Sequence, residues 1–178
     1  MNPLKVKIKK LHKDAVIPTY AKPGDAGMDL TAVSLEIDKH GVLTYDTGLA
    51  FEIPEGYFAQ VVLRSSVYKT DLMLTNHIGI IDSCYRGSVK FKFALSQNLI
   101  NFAYDEIDFK VRIETGEALF YPSEYAAYHK IAHAAKVYAI GDRIGQLIIM
   151  PYPTIQFEES DELSESERGV GSYGSTGR

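Results

Sequence analysis

The chain has little cysteine, no excess of positive charge and no long apolar run. Cys84 is the only cysteine in 178 residues, which excludes an intrachain disulfide and a metal site built from several cysteines. A single cysteine suits a reducing compartment, so we expect a cytoplasmic protein, in the host cytoplasm if the source is viral. No apolar run approaches the roughly 18 residues of a membrane span, so we expect no membrane insertion.

The overall charge argues against a nucleic-acid-binding protein. The formal net charge is −4, so no global basic field recruits nucleic acid, and a phosphate ligand must be held by local Arg, Lys and backbone amides. A hydrophobic content of 46% is enough for one sizeable core. The first residues, Met1–Leu11, alternate apolar residues with lysines, which predicts a strand and not a signal peptide.

Short alternating segments separated by turn signals predict an all-β sandwich or barrel. Ile107–Ile113 is a further alternating segment, and Gly141–Pro151 is a turn followed by a buried strand. The segments in the first part of the chain are Leu35–Ile37, Val42–Thr47, Ala50–Ile53 and Tyr57–Leu63.

The stretch Ile78–Leu95 predicts a β-hairpin with a polar turn. An apolar run ends at Asp82, and the strand that leaves the turn alternates strictly. A carboxylate in this position can orient and deprotonate a water, and the ring of Tyr85 can form the wall of a sugar pocket. The alternative interpretation is an ordinary hairpin with a turn-favouring aspartate.

The segment 97–139 contains the one predicted helix, within Tyr121–Val137, with Ser123 as N-cap and alanines in its body. His129 and His133 share a face of this helix. Two histidines without further ligands, and without the glutamate of a metalloprotease motif, are weak evidence for a metal site.

Two polar groups follow predicted strands. Arg64, Ser65 and Ser66 offer a guanidinium and two hydroxyls, which can clamp phosphate oxygens, or which simply end a strand in solvent. Asn76 offers a donor and an acceptor that suit the edge of a base, although asparagine is also common in turns.

The C-terminal residues change character twice. Glu158–Glu167 is acidic and serine-rich, which predicts a solvated, flexible tether. Arg168–Arg178 then combines glycines with Ser, Thr, Arg and Tyr173. Its amides can wrap phosphates and its ring can stack on a base, although it lacks the lysine of a P-loop. A low-complexity linker is the alternative.

Together these pieces resemble the trimeric dUTP diphosphatase (dUTPase) family. All five of that family's motifs have a counterpart here, in order and across nearly the whole chain. The counterparts are Ala26–Leu30, Arg64–Ser66 with Lys69, Gly79–Gly87, Arg143–Leu147 and Arg168–Gly177.

The resemblance implies an all-β jelly roll in residues 1–157, with a helical insertion at about 97–139 and a flexible C-terminal arm in 158–178. It implies a homotrimer with active sites shared between subunits. The reaction is Mg²⁺-dependent hydrolysis of dUTP to dUMP and pyrophosphate, which limits uracil in DNA and supplies dUMP.

The resemblance also assigns roles to residues. Asp82 activates the water that attacks the α-phosphorus, and Asp29 contacts the waters of Mg²⁺. Tyr85 packs under the deoxyribose and blocks a 2′-hydroxyl. The residues implied in substrate binding are Arg64, Ser65, Ser66, Asn76, Gly79, Ile80, Ile81, Tyr85, Lys90, Gln146, Arg168, Tyr173, Gly174, Ser175 and Thr176.

The chain departs from the family pattern at several positions. Leu63 stands where proline is usual, Ser66 where glycine is common, and Tyr173 where phenylalanine is usual. The long segment 97–139 has no counterpart in compact members. Two alternative functions follow: a nucleotide-binding regulatory protein that holds a protein partner at the insertion, and an enzyme related to the dCTP deaminases.

Overall fold

The computed structural model describes residues 3–39, 41–95, 107–112, 117–122 and 133–171. Within these residues the chain forms thirteen β-strands, and the only helix is one 3-10 turn, Ser65–Lys69. The strands are β1 (Lys7–Lys10), β2 (Met28–Thr31), β3 (Ser34–Ile37), β4 (Leu43–Asp46), β5 (Leu49–Glu52), β6 (Tyr57–Val62), β7 (Leu72–Leu74), β8 (Gly79–Ile81), β9 (Lys90–Leu95), β10 (Ile107–Arg112), β11 (Glu117–Pro122), β12 (His133–Lys136) and β13 (Arg143–Pro151).

Two four-stranded antiparallel sheets make a jelly-roll-like sandwich. The first sheet has the order β2-β13-β6-β8 and the second has the order β3-β4-β9-β7. Two smaller sheets, β1-β5 and β10-β11-β12, complete the set. One core cluster joins side chains from both large sheets, among them Leu30, Leu43, Tyr45, Val61, Phe91, Phe93, Ile144 and Leu147.

The alternation read in the sequence decides which faces are buried. On β9, Phe91 and Phe93 are buried while Lys90 and Lys92 point to solvent, as predicted. The aromatic rings need space, and Gly145 on β13 provides it, because a Cβ at this position would overlap the Phe91 ring. The two sheets therefore approach closely at this glycine.

The predicted hairpin at Ile78–Leu95 is wrong, although both of its strands exist. β8 pairs with β6 in the first sheet, whereas β9 pairs with β4 and β7 in the second. Residues 82–89, here called the 82–89 loop, cross between the two sheets. Alternation identifies a strand and its buried face, but it does not identify the partner strand.

The end of the predicted helix is also wrong. His133–Lys136 is strand β12, paired with β11, which contains Tyr121 and Pro122, and residues 123–132 of the expected helix lie outside the described part of the chain. Ala135 is buried in the core, so the local alanine content was overridden by sheet pairing and packing. Among the described residues, no helix is long and apolar enough to cross a membrane.

Both ends of the 97–139 segment meet at β7. Leu95 pairs with Leu72. Asp71, the residue before Leu72, forms two hydrogen bonds with Lys136. The Asp71 amide donates to the Lys136 carbonyl at 2.8 Å, and the Lys136 amide donates to Asp71 Oδ2 at 2.7 Å. The segment thus leaves and re-enters the sandwich at one place.

Tyr138 joins this core with a buried hydroxyl that has no hydrogen-bond partner among the described residues. Its side chain is 7% exposed, and its carbonyl accepts a 2.8 Å bond from the Tyr45 hydroxyl. Burial raises the pKa of both tyrosines, so both stay neutral at physiological pH.

We expect Tyr138→Phe to raise the free energy of unfolding by about 1 kcal/mol, because it removes a desolvated hydroxyl without losing a bond. The matched control is Tyr45→Phe, which loses a buried hydrogen bond and should lower the stability by about 1 kcal/mol. Denaturant unfolding of the two variants measures both changes. A loss of stability in Tyr138→Phe equal to that of the control would contradict the expectation.

Candidate active site

Three side chains from distant parts of the sequence converge on the Asp29 carboxylate. Arg64 Nε donates to Asp29 Oδ1 at 3.0 Å and Gln146 Nε2 donates to the same oxygen at 3.2 Å. Arg143 Nη1 donates to Oδ2 at 3.1 Å. We call these four residues the Asp29 cluster.

The first sheet positions this cluster. Asp29 on β2 faces Gln146 on β13 in the strand register, and Arg64 follows β6, which pairs with β13 on its other side. Gly27 leaves room for the glutamine, since a Cβ there would lie 3.3 Å from Gln146 Cδ. Arg143 begins β13. The sequence motif contains this arginine, but its contribution to the site was missed because nothing local to it indicates contact with Asp29.

The charges of the cluster suit an anionic ligand. Two guanidinium groups face one carboxylate, which leaves one positive charge in excess. Arg64 Nη1 also reaches the Ser66 hydroxyl at 3.3 Å, so Ser66 and the neighbouring Ser65, both on the 3-10 turn, lie beside it. Planar guanidinium groups bind phosphate oxygens in the same fork geometry as carboxylates. The Asp29 carboxylate marks a place where phosphate oxygens fit.

The donor set fits Mg²⁺ only together with a phosphate ligand. Mg²⁺ keeps several waters and is bound by one or two carboxylates plus substrate phosphates. Among the described residues, no three His, Cys, Asp or Glu side chains group together as a metal site. Asp29 supplies one carboxylate, 19% exposed, and a triphosphate would supply further oxygens.

The 82–89 loop carries the second set of predicted residues. Asp82 follows β8 directly and is exposed, and its carbonyl accepts the Tyr85 amide at 3.1 Å. The Tyr85 side chain is 44% exposed, and its hydroxyl donates to the Ser88 carbonyl at 3.1 Å. Arg86 Nη1 braces the turn through the Ser83 carbonyl at 2.6 Å.

The residues before this loop lie along β8. Gly79, Ile80 and Ile81 form the strand, and a Cβ at Gly79 would overlap the Val61 side chain, so glycine is required for this close pairing. Asn76 is exposed, and its Nδ2 lies 3.6 Å from the position that a Cβ at Gly79 would occupy. The amide of Asn76 and the backbone of β8 therefore lie side by side.

Within one chain, the Asp29 cluster and the 82–89 loop lie far from each other. On β6, Val62 pairs with Gln146 and Ala59 pairs with Ile81, so Asp82 lies beyond Ala59. Along the strand direction, Asp82 and Gln146 are offset by four residues of about 3.3 Å each. Across the sheet they are two strand spacings of about 4.8 Å apart, so their backbones lie roughly 16 Å from each other. The Asp29 cluster and the 82–89 loop do not share one compact pocket within a chain.

Two further predicted groups lie elsewhere. Lys90 forms an ion pair with Asp46, Nζ to Oδ2 at 3.3 Å. Arg168 lies in an exposed turn, where its Nε donates to the Gly171 carbonyl at 3.1 Å. The predicted tail residues Tyr173, Gly174, Ser175 and Thr176 lie outside the described part of the chain.

Comparison with known proteins identifies the family. The dUTPase family model matches residues 13–113, more than half of the chain. The deoxyuridine 5'-triphosphate nucleotidohydrolase of Nautilia profundicola is 34% identical over 177 residues, which are 98% of this chain and 100% of the relative. The chain belongs to the dUTPase family. Another relative in this family, from Escherichia phage T5, is 35% identical over 181 residues, covering 97% of this chain and 98% of its own length.

A solved dUTPase has the same fold. The dUTPase of Staphylococcus bacteriophage 80alpha, solved with dUPNHPP, superposes with a TM-score of 0.69 at 27% identity, covering 98% of this chain and 99% of that one. The match extends across the insertion-bearing half of the chain as well as the sandwich. Members of the dUTPase family are dUTP diphosphatases, so the Asp29 cluster belongs to a nucleotide hydrolase.

Proposed function

We propose that this enzyme hydrolyses dUTP to dUMP and pyrophosphate, with the triphosphate bound at the Asp29 cluster and the attacking water activated by Asp82. The observation that carries the proposal is the convergence of two arginines and a glutamine on the two oxygens of the Asp29 carboxylate. Preorganised donors of this kind stabilise charge that develops on phosphoryl oxygens.

The chemical step uses one base and one leaving group. The Asp82 carboxylate accepts a proton from water as the water oxygen bonds to the α-phosphorus. The bond from that phosphorus to the oxygen bridging to the β-phosphate breaks, and pyrophosphate leaves with the bonding pair. Arg64, Arg143 and Gln146, with Ser65 and Ser66, hold the phosphate oxygens. When bound, Mg²⁺ neutralises charge on the triphosphate, and Asp29 would hold its waters.

Recognition of the nucleoside is assigned to the loop side of β8. Asn76 and the adjacent backbone supply hydrogen bonds to the uracil edge. The ring of Tyr85 lies under the deoxyribose and collides with a 2′-hydroxyl. A soft pocket discriminates one methyl by only about 1–3 kcal/mol, so the close-packed backbone at Gly79 is suited to exclude thymine.

We further propose a homotrimer in which one subunit supplies the Asp29 cluster and another supplies the 82–89 loop. The separation of roughly 16 Å within one chain supports this arrangement. The outward face of the first sheet supports it too, because apolar side chains surround Gln60 there, where water-facing strands carry mostly polar ones. Ile80 is 56% exposed and Met150 is 39% exposed on this face. Phe58, Val62 and Ile148 lie on it between them.

The test of the activity is steady-state hydrolysis of each deoxynucleoside triphosphate with Mg²⁺ and with a chelator. We expect dUTP alone to be turned over efficiently, with release of dUMP and pyrophosphate and loss of rate on chelation. Release of ammonia from dCTP would instead favour the deaminase-related enzyme. Absence of dUTP turnover with tight dUTP binding would favour a regulatory nucleotide-binding protein.

A partner-binding role of the insertion is a second candidate, compatible with the first. Strands β10 and β11 belong to a segment that leaves and re-enters the sandwich beside β7, so they form an appendage attached through β12, whose Ala135 packs in the core. The 80alpha protein is described as one of the phage dUTPases that control transfer of virulence genes by a proto-oncogenic G protein-like mechanism. An appendage of this kind gives a nucleotide hydrolase a surface for a protein partner.

We expect replacement of residues 97–132 by a short loop to leave dUTP hydrolysis unchanged. A boundary at 139 is too late for this design, because Ala135, Val137 and Tyr138 are buried in the core. Leu95 pairs with Leu72 and Lys136 bonds to Asp71, so both ends of the segment reach one short stretch of chain that a short loop can connect. The measurements are kcat/KM and oligomer mass. Loss of activity with the oligomer preserved would show that the insertion shapes the site.

A further inference from the structure

Asp46, at the end of β4, contacts the 82–89 loop through Ser88, and the following turn and β9 through both of its carboxylate oxygens. Its Oδ1 accepts the Gly48 amide at 2.7 Å and also the Ser88 hydroxyl. Its Oδ2 pairs with Lys90 Nζ at 3.3 Å. The side chain is 21% exposed, so these bonds are partly shielded from water. None of the sequence motifs contains Asp46.

Ser88 connects this carboxylate to Tyr85. The Ser88 hydroxyl donates to Asp46, and the Ser88 carbonyl accepts the Tyr85 hydroxyl at 3.1 Å. Gly87 lies against the ring, since a Cβ at this position would overlap the Tyr85 hydroxyl. The place of the ring thus depends on the backbone at Ser88, and that backbone depends on Asp46.

The rest of the strand junction is held without Asp46. The Thr47 hydroxyl donates to the Val89 carbonyl at 2.8 Å in the core, and the Val89 amide donates to the Leu49 carbonyl at 2.9 Å. Thr47 is fully buried. These bonds hold the junction of β4 and β9 without Asp46, so the bond from Ser88 to Asp46 mainly affects the 82–89 loop.

We propose that Asp46 and Ser88 are positioning residues that fix the Tyr85 ring and thereby set the discrimination between deoxyribose and ribose. This inference rests on the proposed role of Tyr85 in the proposed function. A steric gate excludes a hydroxyl only if the ring cannot move aside by about 1 Å. The relay Asp46–Ser88–Tyr85 removes that freedom, with Gly87 keeping the ring flat on its own loop.

The test compares kcat/KM for dUTP and UTP, and the inhibition constant of UTP against dUTP hydrolysis, in Ser88→Ala, Asp46→Asn and Tyr85→Phe. Ser88→Ala and Tyr85→Phe each remove one bond of the relay and keep the ring, whereas Asp46→Asn removes the negative charge that strengthens the Ser88 bond. We expect each to shift the preference toward UTP by roughly three- to tenfold, the range for one hydrogen bond. The double variant Ser88→Ala/Tyr85→Phe should shift no more than the larger single change, because both act through one relay.

Two reference variants separate the possible outcomes. Ser34 on β3 pairs with Asp46 through the backbone, and its side chain makes no hydrogen bond among the described residues. Ser34→Ala should therefore keep the wild-type preference for dUTP over UTP. Tyr85→Ala removes the gate and should give the largest shift. If Tyr85→Ala leaves the preference unchanged, the proposed role of Tyr85 fails. The relay inference is overturned if Tyr85→Ala shifts the preference while the relay variants keep the preference of Ser34→Ala. It is also overturned if the relay variants lose activity toward dUTP and UTP equally.

Discussion

Asp82→Asn is expected to fold normally and to lower kcat for dUTP by at least about 10²-fold, the usual effect of losing a general base. The amide keeps the size of the side chain but cannot accept the proton of the attacking water. The fold should be indifferent to the change, because the Asp82 side chain is exposed and makes no hydrogen bond or ion pair within the described residues.

The matched control is Glu55→Gln, which neutralises another exposed carboxylate beside the 82–89 loop. Glu55 and Ser83 line the same surface cavity, so long-range electrostatic effects of the two substitutions are comparable. The control should retain wild-type kcat. Near-wild-type kcat in folded, correctly assembled Asp82→Asn would show that another group activates the water.

Truncation after Phe157 should preserve the oligomer and lower kcat/KM by about 10²-fold or more. The missing tail carries Arg168, which we expect to pair with phosphate, and Tyr173, which we expect to stack on the base, each contributing about 1–3 kcal/mol. Residues 158–170 are exposed and contribute nothing to the core, so their removal should not unfold the sandwich. Closure of the tail also excludes bulk water and strengthens the phosphate contacts.

Point variants separate stacking from a merely structural tail. Tyr173→Phe keeps the ring and should be nearly neutral, whereas Tyr173→Ala should lose about 1–3 kcal/mol in transition-state stabilisation. The measurement is kcat/KM for the truncation and both variants, with oligomer mass as the control. Full activity in the truncated protein would overturn the proposed closure.

Local sequence pattern predicted most strands but not their partners. The segments at Leu35–Ile37 and Tyr57–Leu63 are strands within a residue of their predicted bounds, because alternation directly reflects one buried face. The hairpin prediction was wrong because β8 and β9 pair with strands of different sheets, and this choice depends on packing between residues distant in the sequence. His133–Lys136 was predicted to be helical and is a strand, because pairing with β11 overrides the helix propensity of its alanines.

The candidate site was predictable in its parts and not in its assembly. The motif resemblance named Asp29, Arg64 and Gln146, but only the fold brings them together, across separations of 35 and 117 residues. Arg143 and Asp46 carry no local signal of their function. Arg143 contacts a carboxylate 114 residues away in the sequence, and Asp46 contacts a serine 42 residues away.

The distance between the Asp29 cluster and the 82–89 loop makes catalysis a property of the assembly under the proposed arrangement. A dissociated subunit holds half of the chemistry, so specific activity should fall on dilution in the manner of mass action. It also follows that two inactive alleles, one defective in the loop and one in the cluster, complement each other when their products mix. In a mixed trimer, some interfaces join the intact loop of one product to the intact cluster of the other.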